Sequence, residues 1–212
     1  MRDADGDLSF SPQDLDAEGG LRGDRAIRGE VELVADADHL PRVVQRGMLS
    51  AKVSLDIATA DFKAMLVPDP ANPRGRNAPS IVEHLVRLAQ RGVEVRVLHA
   101  SVPSGPAIQQ LKKAFRSKKL AGGLTIRRCP RLHAKAVVVD AGWLYLGSAN
   151  LTGAGLGAKG ATRRNFEWGV ISRTPALVDA VMGRFNTLWE GDHCAGCGRR
   201  DVCPVPLEEP DL

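Results

Sequence analysis

Short apolar runs rich in Val, Ile and Leu alternate along the chain with stretches whose apolar positions recur every three or four residues. Residues 30–35 (EVELVA), 52–58 (KVSLDIA) and 93–98 have the length and composition of strands. Residues 40–50 read as a helix, with Asp38 as candidate cap and Pro41 near the first turn, where a missing N–H is tolerated. Four prolines and Gly75 make residues 68–79 a loop. A clearer helix covers 80–91, where Ile81, Leu85, Leu88 and Ala89 share one face and Gly92 closes the last turn. A basic helix over 106–120 ends at Gly122-Gly123. Three strands are predicted next: Leu124–Arg128, 132–139 and Trp143–Gly147, the last two joined by a tight hairpin at Asp140-Ala141-Gly142. A strand over 166–172 and a helix over 175–189, opened by Pro175, complete the pattern. Strands alternating with helices, plus a hairpin, predict an α/β fold with a mixed central sheet and helices on both faces.

A chain of 212 residues is expected to form one main domain with a sizeable core. It divides into a flexible segment at 1–29, poor in apolar positions, a folded domain at 30–190, and a cysteine-bearing tail at 191–212 packed on that domain. No run of about 18 apolar residues occurs and no charged-then-apolar leader opens the sequence, so a soluble, cytoplasmic protein with no membrane partner is expected. The net charge of +4 conceals an asymmetry. Residues 1–30 hold four Arg against six Asp and two Glu, which leaves the remainder at +8. Within 111–135 there are nine cations and no acid: Lys112, Lys113, Arg116, Lys118, Lys119, Arg127, Arg128, Arg131 and Lys135. Such a block suits a polyanion, and Arg163 and Arg164 add to it further on.

His133, Lys135 and Asp140, followed by Gly147-Ser148-Ala149-Asn150, spell H-x-K-x4-D-x6-G-S-x-N. On a strand, side chains two apart share a face, so His133 and Lys135 point the same way. An imidazole beside an ammonium suits attack on a phosphate, one as nucleophile and the other neutralising the oxygens. Asn150 offers an amide donor and Ser148 a hydroxyl to the same oxygens. Asp140 sits where turn chemistry alone favours Asp, so its expected role is as much architectural as catalytic.

These elements resemble the signature of the phospholipase D superfamily of phosphodiester-cleaving enzymes, over about residues 30–190. The resemblance implies an α-β-α sandwich and an acidic residue on the strand after the motif; Glu167 fits, and is expected to fix the tautomer of His133. It also implies two copies of the motif per site. Only one H-x-K occurs here, since His39, His84, His99 and His193 lack the following Lys. Similar single-motif members pair as homodimers, so a symmetric dimer is expected. One His133 then forms a phosphohistidine while its mate acts as acid and base, with no divalent ion required at the catalytic centre. His99 reads as a buried structural histidine.

The four cysteines form a second motif: Cys194-x2-Cys197-x5-Cys203 in the tail, with Cys129 upstream. A C-x2-C in a Gly/Arg loop with little apolar surface points to a metal centre rather than to disulfides. The spacing resembles the iron staple of certain DNA-processing nucleases of a different fold, which implies a 4Fe-4S cluster. Zinc on the same sulfurs, with His193 able to replace Cys129, is the alternative. Fully extended chain between Cys129 and His133 spans roughly 13 Å.

The motif fixes the bond type and leaves the substrate open. The basic block, the small single-motif chain and the lack of an amphipathic anchor favour a DNA endonuclease; the resemblance suggests service in a bacterial defence or restriction system, with partner proteins there. A phospholipase D-type lipid hydrolase and a non-catalytic nucleic-acid-binding subunit are the alternatives.

Overall fold

The computed structural model describes residues 26–68, 78–116 and 123–210. Most of the segment expected to be flexible, most of the proline loop, and Lys118 and Lys119 of the expected basic helix lie outside the described residues.

Seven strands form one mixed sheet: β1 (Glu32–Ala35), β2 (Ser54–Thr59), β3 (Glu94–His99), β4 (Leu124–Arg128), β5 (Ala136–Val139), β6 (Trp143–Gly147) and β7 (Trp168–Ser172). Their spatial order is β1-β7-β6-β5-β2-β3-β4. β2, β3 and β4 are parallel, and the other pairings are antiparallel. Helices α1 (Ile81–Gln90) and α2 (Gly105–Arg116) cover one face, and α3 (Pro175–Glu190) the other. The larger core joins α1 and α2 to Leu55, Ile57, Val95, Val97 and Tyr145. On the opposite face Phe185 and Trp189 of α3 meet Ala58, Leu98 and Ala136, while Val178 meets Val138 and Leu144. This is the expected α-β-α arrangement.

Local chemistry explains the boundaries. Ser80 caps α1 by accepting from Glu83 N while the Glu83 side chain accepts from Ser80 N, a reciprocal capping box. Pro175 opens α3, and Gly191, at φ 82°, closes it in the left-handed conformation. The hairpin turn puts Asp140 and Ala141 at φ 51° and 49°, with Gly142 N bonded to Val139 O at 3.0 Å, a type I′ geometry.

Two expectations need correction. Residues 40–50 do not form a regular α-helix: 3-10 turns at Asp36–Asp38 and Met48–Ser50 flank a π-type segment at His39–Gln45. Pro41 lacks an N–H, its carbonyl accepts from Arg46 N five residues on, and the Asp38 side chain caps nothing. The strand expected over 132–139 is regular only over Ala136–Val139, with one further backbone bond from Gly147 N to Lys135 O at 3.1 Å.

Candidate active site and a cysteine-lined cavity

One edge of the sheet collects the chemistry. β2 ends at Thr59 and β3 at His99, while antiparallel β5 begins at Ala136, opposite Ala58. β6 ends at Gly147, opposite Gly169 near the start of β7. Residues just before Ala136, after Gly147 and before Trp168 therefore converge at the carboxyl ends of β2 and β3, where open α/β sheets bind ligands.

His133 and Lys135 lie on the approach to β5, and their two-residue spacing still brings the side chains together. Lys135 is only 7% exposed. Its ammonium donates to His133 O at 2.8 Å and stands 3.1 and 3.3 Å from Nδ1 and Nε2 of the same residue. The imidazole itself is exposed. Among the described residues Lys135 has no carboxylate partner. A buried cation without a counter-ion is unfavourable until an anion arrives, which is the electrostatic condition for holding phosphate.

Asn150 is fixed in the complementary sense. Its Oδ1 accepts from Ala60 N and Asp61 N, both at 3.1 Å, and from Thr59 Oγ1 at 3.4 Å. That leaves Nδ2 as the free donor end. Leu151 N in turn donates to Thr59 Oγ1 at 2.9 Å, so the loop after β2 orients Asn150. Thr59 and the 60–61 backbone carried no sequence signal, because backbone amides are anonymous in a sequence.

Glu167 departs from expectation. It is buried, but its carboxylate accepts from Ser148 Oγ and, at 2.9 Å, from Asn165 Nδ2, and it makes no bond to His133. Ser148 also exchanges bonds with Trp168, which ties the motif loop to β7. Glu167 therefore orients the Ser148 hydroxyl in this structure. Behind them stands a support that sequence reasoning missed. Glu167 N donates to Asp36 Oδ1 at 3.0 Å, His39 Nδ1 donates to Asp36 O at 2.9 Å, and Tyr145 O–H donates to His39 Nε2 at 2.9 Å. Burial lowers the His39 pKa against the pull of nearby carboxylates, and burial raises that of Tyr145, so both stay neutral.

Asp140 does not join the site. It lies at the other end of β5 and accepts from Lys52, Val53 and Ser54 amides at 2.8–3.1 Å, anchoring the hairpin to β2. Burial pushes its carboxyl up, but the three amides outweigh that and hold it below the ordinary value. His99 is buried as expected, with burial lowering its pKa and Nδ1 donating to Ser101 O at 2.8 Å.

The basic block is not one surface. Arg127 stacks over Trp189 at 4.6 Å and reaches Glu209 at 3.8 Å, and Arg128 reaches Glu208 at 3.8 Å. Arg131 donates to Cys197 Sγ at 3.8 Å. These three arginines hold the tail, so the positive charge expected of them as a nucleic-acid contact is partly engaged within the chain. Lys112, Lys113 and Arg116 ride on α2, which leaves the catalytic edge at Gly105, so they stand roughly 10–17 Å along its axis. Arg163 and Arg164 precede Glu167 and have no side-chain partner among the described residues.

Cys129, Cys194, Cys197 and Cys203 all line one cavity of about 280 Å³, together with His133 and His193. All four thiols are free. Among the described residues, no three His, Cys, Asp or Glu side chains form a set that could hold a single metal ion as placed. The chain from Cys129 to His133 is not extended, because Leu132 N bonds back to Cys129 O at 2.9 Å around Pro130-Arg131.

Residues 45–189 match the model of the family described as cardiolipin synthase, PLD-like domain. The chain belongs to that family, within the phospholipase D superfamily of phosphodiester-cleaving enzymes. Among solved structures it is similar to a phospholipase D family member, Nuc from Salmonella typhimurium, at 20% identity and a TM-score of 0.54, over 77% of this chain and 95% of that one. It is also similar to NucT from Helicobacter pylori, at 15% identity and a TM-score of 0.53, over 77% and 97%. These likenesses concern the fold. No curated protein sequence matches the chain. No helix among the described residues is long and apolar enough to cross a membrane.

Proposed function

We propose that the protein is a homodimeric phosphodiesterase that cleaves DNA through a phosphohistidine at His133. The observation that carries this reading is the exposed His133 imidazole against a buried Lys135 ammonium with no carboxylate partner among the described residues, across the sheet edge from an Asn150 amide fixed by its oxygen. Lys135 and Nδ2 of Asn150 bind the non-bridging phosphate oxygens. A His133 nitrogen forms the bond to phosphorus as the ester oxygen leaves, taking a proton from His133 of the second copy. Water then attacks phosphorus, passes a proton to that second histidine and frees His133. Proton transfer of this kind contributes about 10²–10⁴-fold.

One subunit supplies one such histidine, and the surface beside it supports pairing. On the α3 side of the sheet, Leu33, Val170 and Leu146 align across β1, β7 and β6. Trp168 lies next to this row at 72% exposure, and Phe166 precedes it at 91%. α3 runs from the end of β7 towards β2 and β3 and leaves this corner uncovered. An apolar corner adjoining Ser148 and Glu167 suits an isologous contact that brings two catalytic edges together.

Nucleic acid is favoured by Arg163 and Arg164 near Glu167, which have no side-chain partner among the described residues, and by a chain spanning nearly all of the Nuc and NucT structures. A lipid substrate is the second reading, because the family takes its description from cardiolipin synthase and Phe166 and Trp168 lie near the site. A role within a bacterial defence or restriction system remains part of the proposal, resting on the sequence resemblance. The test is cleavage of labelled DNA, RNA and phospholipid vesicles in excess EDTA. DNA cleavage that is lost in His133→Ala, with the variant still folded, supports the reading. Cleavage of vesicles alone selects the lipid hydrolase. DNA binding without cleavage by the wild type selects a non-catalytic subunit.

A further inference from the structure

We infer that the cysteine-lined cavity holds a 4Fe-4S cluster that anchors the loop carrying His133. Apart from the contacts made by Arg127, Arg128 and Arg131, the tail has little regular structure of its own to hold it. Residues 191–210 contain no helix or strand, and only Leu207 among them packs against the apolar cluster of α3. Yet cysteines from two distant parts of the chain face the same space, Cys129 from the β4–β5 connection and the others from the tail. Four thiols gathered around one cavity without a disulfide are the signature of a thiolate-held centre.

The cavity distinguishes between centres. Zn–S bonds of about 2.3 Å draw four tetrahedral sulfurs to within about 3.8 Å of one another. Among the described residues no three His, Cys, Asp or Glu side chains are placed to hold a single ion, whereas all four cysteines line a space of about 280 Å³. Sulfurs spread around an open volume fit a polynuclear cluster, whose irons, bridged by sulfide, each take one thiolate. Charge agrees. Four thiolates on such a cluster leave a net negative centre, and arginines line the wall, Arg131 already donating to Cys197 Sγ. His133 lines the same cavity, four residues beyond Cys129, so a filled cavity braces the turn at Pro130-Arg131 from which the catalytic histidine projects. The centre is structural for that loop and takes no part in the reaction at phosphorus.

The inference does not rest on the phosphodiesterase reading, and its test is spectroscopic. Full-length protein is isolated anaerobically, or reconstituted with ferrous iron and sulfide, then assayed for iron, acid-labile sulfide and zinc. The expected result is about four iron and four sulfide per chain with broad absorption near 400 nm. Cys194→Ser and Cys203→Ser are expected to lose most of that absorption and to melt earlier than the wild type. One zinc per chain, or no iron after reconstitution, overturns the cluster whatever the activity. A wild-type spectrum unchanged in Cys129→Ser overturns the assigned ligand set. Because the wild type alone gives the decisive reading, variants that fail to fold do not obscure it.

Discussion

The residue scale separates groups that touch the phosphate from groups that only hold the site in shape. Asp140 belongs to the second kind, because three backbone amides already occupy its oxygens. Asp140→Asn is therefore expected to cost about 1–2 kcal/mol at neutral pH, measured by urea denaturation, with turnover per folded molecule nearly unchanged. The pH dependence has a definite sign. A carboxyl held low in the fold stabilises fully above its unfolded pKa and loses that contribution as pH falls through the folded one. The gap between variant and wild type should therefore shrink in acid; a gap constant down to strongly acidic pH contradicts the assignment. Asn150→Ala is the contrasting case. It should fold and lose about 10²–10³ in kcat, as removal of one oxyanion donor generally does. Full activity in that variant places the phosphate elsewhere.

At the scale of elements, the motif glycine is a packing device. A Cβ on Gly147 would stand 2.7 Å from Tyr145 Cζ and 2.8 Å from Gly169 Cα. Those distances permit no ordinary contact, so the strand crossing needs hydrogen at both positions. Gly147→Ala is expected to destabilise the protein by about 1–3 kcal/mol in thermal or chemical denaturation. An unperturbed melt would mean that β6 and β7 part easily here. The strands β4 and β6 and the helices α1 and α3 were legible in the sequence, because their period and their Ser, Pro and Gly boundaries agree. The segment after Asp38 misled, because a helical apolar spacing says nothing about Pro41 diverting the hydrogen bonds. The site was legible in part. His133 and Lys135 meet as their spacing implies and Asn150 lies at the same sheet edge, whereas Glu167 and the 127–131 arginines found partners that only folding could supply. The Asp36–His39–Tyr145 support was invisible, since its members lie over 100 residues apart at the extremes.

At the scale of the whole molecule, the proposed shared site, with a single H-x-K per chain, predicts that activity depends on association. Trp168→Asp places a charge on the uncovered corner between β1 and α3. It is expected to shift sedimentation from dimer to monomer and to abolish cleavage while leaving the far-ultraviolet spectrum intact. A variant that sediments as a monomer with undiminished turnover refutes the shared site. The most direct test of the account is chemical. Wild-type protein is mixed with end-labelled DNA in excess EDTA and quenched in alkali, under which phosphohistidine survives. Labelled protein should appear, map to the peptide carrying His133, and be missing from His133→Ala. Rapid DNA cleavage with no label on the protein, or label retained by His133→Ala, contradicts it.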